Sequence, residues 1–145
     1  MCNHRLNVYE QRWIDCIFTD TQITSKMKKS FCSRNKIHRE ITDYYWITEF
    51  QCNHKLGDKK NIQRKSIEIR GLRDNGAPIQ VIFHFINEKI IEIEAFCADS
   101  SFIGETVIDS VKEWTIVCFL RIHHSENKNK GGENPIILVI SALIS

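Results

Sequence analysis

Between residues 65 and 97 apolar and polar side chains alternate. Ile67 and Ile69 are separated by Glu68 and Arg70; Ile79, Val81, Phe83 and Phe85 are interleaved with Gln80, Ile82, His84 and Ile86; Ile91, Ile93 and Ala95 oppose Glu92 and Glu94. Residues two apart on an extended chain share a face, so each run predicts a strand with one apolar side. The tetrad Asp74, Asn75, Gly76, Ala77 contains an Asn-Gly pair with ready access to positive φ, Pro78 opens the next strand where its missing N–H does least harm, and Asn87-Glu88 makes a second turn. The pattern predicts three consecutive antiparallel strands, a meander.

The flanks follow other periods. Tyr9, Trp13, Cys16 and Ile17 recur at helical spacing, and Asn7 with Glu10 three residues on has the form of a capping box, so a helix is expected over 7–18. The segment KMKKSFCSRNKIHRE (26–40) is strongly basic with little periodicity and reads as a mobile, solvated loop or a short irregular helix. Residues 43–53 are aromatic and β-branched and predict a strand with two apolar faces, Tyr45, Ile47 and Glu49 on one, Tyr44, Trp46, Thr48 and Phe50 on the other. After the meander, Ile103, Val107, Val111 and Trp114 recur at three or four residues, which predicts a short amphipathic helix over 104–113 lying across the sheet. Residues 115–123 read as another strand, 125–134 as a polar loop and 135–144 as a final apolar strand. That last strand lacks alternation, so both its faces should be covered, centrally in the sheet or by a second subunit in a homodimer. The expectation is one α+β domain over 1–145: an antiparallel sheet of five or six strands, an N-terminal helix and one short helix after the three-stranded meander.

Composition strengthens the sheet reading, since the chain has 23 Ile against six Leu and β-branched side chains favour pleated surfaces. The longest apolar stretch, 136–144, is about half of what a bilayer crossing requires, so no membrane span is expected. The six cysteines follow a polar N-terminus without an apolar signal core and read as reduced thiols in a cytoplasmic protein. Charge is asymmetric: residues 1–65 carry 13 basic and seven acidic side chains, net +6, and residues 66–145 carry seven basic and 11 acidic, net −4. Such a split suits either two mutually attracting faces or a partner-binding half.

Candidate chemistry is sparse. Cys2-Asn3-His4 and Cys52-Asn53-His54 repeat a triplet whose outer members point the same way on an extended chain, so Cys2, His4, Cys52 and His54 together make a zinc ligand set; the plainer reading is a frayed terminus and a strand end. His123-His124 face opposite sides of a strand and serve one ion poorly. His84 reads as a hydrogen-bonded sheet residue. Glu92 and Glu94, with Glu68 on a neighbouring strand, form an acidic patch suited to a divalent cation or a basic partner, or else a wet sheet face neutralised by Arg70 and Lys89. No glycine-framed nucleophile turn and no phosphate-cradling loop is present, and the single Glu-x-Lys triplet, Glu126 to Lys128, lies in the polar loop, so catalysis has no visible signature and no cofactor is expected.

By elimination, the sequence points to a small non-enzymatic binding protein that blocks a macromolecular partner, as a bacterial immunity protein or antitoxin masks the basic domain of its toxin. The expected contacts are Glu68, Glu92, Glu94, Asp99, Glu105 and Asp109. The alternatives are a nucleic-acid-binding module using Lys26, Lys28, Lys29, Arg34, Lys36 and Arg39, with Phe31 stacking on a base, and a zinc domain built on the two triplets.

Overall fold

A computed structural model describes residues 5–32, 36–51, 62–124 and 138–140, with the backbone alone from 118 onward. The expected α+β architecture is present. Seven antiparallel strands, β1 (Lys36–Ile41), β2 (Tyr45–Gln51), β3 (Gln63–Leu72), β4 (Ile79–Ile86), β5 (Lys89–Cys97), β6 (Glu113–His124) and β7 (Leu138–Ile140), form one sheet in the order β1-β2-β5-β4-β3-β6-β7. Helices α1 (Val8–Phe18), α2 (Ser25–Cys32) and α3 (Glu105–Asp109) complete the described chain.

The meander β3-β4-β5 lies at the centre, as alternation requires. Its turns carry the positive φ values, Gly76 at 105° and, in the second, Asn87 and Glu88 at 49° and 64°, the paired left-handed geometry of a two-residue hairpin. Asn87 also ties that turn to the neighbouring strand, its amide donating to Gln63 O and its Oδ1 accepting from Gln63 N, both at 2.8 Å.

One face of the sheet carries the core. Ile67, Ile69, Ile79, Val81, Phe83, Phe85, Ile93 and Ala95 point into a single buried cluster with Trp13, Ile14 and Ile17 of α1, Met27 and Phe31 of α2, and Ile108 of α3. All three helices therefore cover the same side. Trp13 stands edge-on to both Trp46 and Trp114, and the Trp114 ring packs against Gly71, where a Cβ would come within 2.7 Å of it.

Two polar devices lock the helices to the sheet. In α1, Asn7 and Glu10 form the expected capping box, at 2.9 and 2.8 Å. Glu10 is fully buried and also accepts from both Arg39 of β1 and Thr48 of β2, whose hydroxyl in turn accepts from Trp46 Nε1 at 3.0 Å. In α2, Ser30 Oγ accepts from the Ile90 amide at 3.1 Å. That amide sits beside a bulge: His84 pairs with Glu92 and Phe85 with Ile90, which leaves Ile91 as the extra residue in β5.

Several expectations change. The basic segment 26–40 is not a loop throughout: it divides into α2, whose Met27, Ser30 and Phe31 are buried, and edge strand β1, one strand more than the sequence reading counts. The helix expected over 104–113 is only α3, because Ser110 caps it by bonding back to Val107 O at 2.5 Å and β6 begins at Glu113; Val107, Val111 and Trp114 still pack on the core. The apolar C-terminal segment supplies β7 at the sheet edge beside β6 rather than a central strand. No helix among the described residues is long and apolar enough to cross a membrane. Cys16, Cys32 and Cys97 are free thiols, of which Cys97 is buried and Cys32 exposed. The triplets at 2–4 and 52–54 and Arg34 lie outside the described residues.

Candidate functional site

The face of the sheet opposite the helices is built by the polar members of each alternating pair, and the strand registers align them into rungs. His38 of β1, Glu49 of β2, Glu92 of β5, His84 of β4 and Ser66 of β3 form one rung. Glu40, Ile47, Glu94, Ile82 and Glu68 form the next. These two rungs hold Glu40, Glu49, Glu68, Glu92 and Glu94 and no Lys or Arg across the five strands. Basic residues stand at the ends of the face, Arg64 and Lys89 beside Ile86 at one end and Arg70 beside Gln80 at the other.

The centre of this surface is tightly connected. His84 Nε2 bonds Glu94 Oε1 at 2.9 Å, with both side chains 34% exposed. Glu92 lies beside Glu94 on β5, and the donor atoms of His84, Glu92 and Glu94 all fall within 4.8 Å of one another. Burial pushes the Glu92 carboxyl up to about 7, assisted by a hydrogen bond to Glu94 and by the negative charges of Glu94 and Glu49. Two strands away, Glu68 Oε1 accepts from Gln80 Nε2 at 2.8 Å. Among the described residues, neither Arg70 nor Lys89 forms an ion pair with these carboxylates; Glu94 is bonded to His84 and Glu68 to the Gln80 amide.

The bulge explains the placement. Because β5 gains Ile91 next to His84, Glu92 stays in register with the imidazole while Ile90 and Ile93 both turn into the core. Ser30 of α2, from the opposite side of the sheet, holds the Ile90 amide at that point. The helix layer thus fixes the backbone on which the polar cluster stands.

Of the six contacts expected from sequence, Glu68, Glu92 and Glu94 come together here. Asp99 is exposed in the turn after β5, its carboxyl held below the usual range chiefly by a hydrogen bond from the Ser101 side chain and also by the Ser101 amide. Glu105 and Asp109 belong to α3 on the helix-covered side, where Asp109 Oδ2 accepts from Tyr9 at 3.4 Å. Glu49, Glu40 and His84 enter the site instead; His84 is a hydrogen-bonded sheet residue, as expected, but one bonded to the acidic cluster.

The basic set is dispersed. Lys26, Lys28 and Lys29 line the exposed side of α2, with Lys28 Nζ 5.8 Å from the Phe18 ring centre, and Lys36 stands exposed on β1. Arg39 is committed to buried Glu10 and is 14% exposed, and Phe31 is a core residue ringed by Phe18, Phe50, Phe83 and Phe85, so neither is available to a phosphate or a base. The signal for Arg39 was present only indirectly, as a lone acid on the apolar stripe of α1.

Comparison of the chain with protein-family models, with curated proteins and with solved structures found no match.

Proposed function

We propose that the protein is a non-enzymatic binding protein that presents the open face of its sheet to a basic macromolecular partner and blocks it, in the manner of an immunity protein or antitoxin covering a toxin's nucleic-acid-directed surface. The observation that supports this reading most is the pair of central rungs, in which five carboxylates stand on one face that no described helix covers, with no Lys or Arg between them. A surface of that sign steers a cationic partner into encounter and disfavours anionic competitors. Ile47, Ile82 and Phe96 are interspersed among the acids and half-buried, so a docked partner also removes apolar area from water.

Rigidity favours blocking over chemistry. The acids rise from neighbouring strands of a sheet whose other side is sealed by three helices, which holds their spacing before a partner arrives and lowers the ordering cost of binding. The test is to recover the proteins retained by the wild type from the native host and by the Glu92→Lys/Glu94→Lys variant, identify by mass spectrometry those that depend on the two acids, and assay each purified candidate for activity on nucleic acid with and without the protein. A basic protein whose activity the wild type inhibits and the variant does not supports the reading. Equal retention by wild type and variant, or retention without inhibition, overturns it.

A further inference from the structure

We propose that His84, Glu92 and Glu94 form a binding site for a divalent transition-metal ion of the zinc class on the open face of the sheet. The inference does not depend on the docking reading. One imidazole nitrogen and two carboxylates converge with their donor atoms within 4.8 Å of one another. Bonds of about 2.0–2.2 Å to nitrogen and oxygen place neighbouring donors of a tetrahedral zinc ion about 3.3–3.6 Å apart, so side-chain rotations that draw the donors together by on the order of 1 Å close the set.

The frame that carries these donors is stiff. His84 and Glu92 are register partners, Glu92 and Glu94 share a face of one strand, and the bulge that aligns them is pinned from beneath by the Ser30–Ile90 hydrogen bond. The cluster also wants positive charge: Glu49 stands directly across from Glu92, and no Lys or Arg occupies either rung. The imidazole decides the class of ion, because nitrogen with carboxylate suits zinc and its neighbours, whereas magnesium and calcium prefer oxygen throughout.

The experiment is calorimetric titration of untagged, chelator-stripped full-length protein with Zn²⁺, using Mg²⁺ as the control. The expected result is one Zn²⁺ event absent with Mg²⁺, weakened by at least about tenfold in His84→Ala and in Glu92→Gln/Glu94→Gln, the lower bound that even outer-shell partners set, and unchanged in Cys2→Ser/Cys52→Ser. Co²⁺ added to the wild type gives a measurement independent of any variant's folding: it should broaden the His84 ring resonances before those of the other five histidines, without a thiolate charge-transfer band. Absence of Zn²⁺ binding, Zn²⁺ affinity unchanged by the His84 and Glu92/Glu94 substitutions, or a thiolate band lost on Cys→Ser substitution overturns the site. None of these outcomes bears on whether charge reversal abolishes docking, so the two proposals fail separately.

Discussion

His84 faces Glu92 across the β4–β5 ladder, yet its Nε2 bonds Glu94 Oε1, one rung away, at 2.9 Å. Among the described residues, the diagonal leaves Glu92 without a cation of its own beside two other carboxylates. Burial and the neighbouring charges push its carboxyl up, and that links this face of the sheet to the stability of the whole fold.

Glu92 titrates at about 7 in the folded protein against an ordinary 4.5. Between those values the folded chain holds a proton that the unfolded chain has released, so this group's contribution to stability is complete below the lower value and is lost as pH rises through the upper one. Denaturant unfolding of the wild type and Glu92→Gln from pH 5 to pH 8 should show the wild type losing stability relative to the variant across that range. A constant difference between the two would refute the assignment.

Arg39 and Glu10 pair where solvent hardly reaches, and Thr48 shares the same carboxylate. Arg39→Met leaves a buried carboxylate without its guanidinium and should cost about 3–5 kcal/mol, measured by denaturant unfolding. The double variant Glu10→Gln/Arg39→Met should cost clearly less than the sum of the single ones, because the second change removes the charge that the first stranded.

Ser30→Ala removes the acceptor of the Ile90 amide, a buried contact. The stranded N–H should cost about 1–3 kcal/mol. Since that bond secures the bulge beneath Glu92, the variant should also move the Glu92 titration, read by NMR of the side-chain carboxyl. Loss of stability with an unmoved titration would separate the helix layer from the polar face.

Gly71→Ala places a methyl within 2.7 Å of the Trp114 ring, closer than van der Waals contact allows. The Trp114 ring, which packs edge-on against Trp13, must shift, at about 1–3 kcal/mol. Tryptophan fluorescence should move to longer wavelength as the ring gains solvent.

The central architecture was legible because local signals agreed: alternation over β3, β4 and β5, turn residues at Gly76 and Asn87, and the Asn7–Glu10 capping box all describe contacts close in sequence. Strand β1 was hidden because its inward-facing Arg39 breaks the apolar alternation, and that charge is paired with Glu10, 29 residues earlier. The candidate site was half legible. A period of two places Glu92 and Glu94 on one face, but Glu49 reaches them only through the non-local β2–β5 pairing, and His84 only through a bulge that no residue type announces. Glu105 and Asp109 entered the expected set through their sign alone, which carries no information about which side of the sheet α3 covers.

The most direct measurement compares two charge reversals on opposite sides of the sheet. With the partner recovered as above, binding should be titrated at low and high salt for the wild type, for Glu92→Lys/Glu94→Lys on the open face and for Glu105→Lys/Asp109→Lys on the helix-covered side. Docking through the open face predicts that affinity collapses only in the first variant and that the wild-type affinity falls steeply with salt. Equal affinity for wild type and the Glu92→Lys/Glu94→Lys variant, or collapse only in the Glu105→Lys/Asp109→Lys variant, would contradict it.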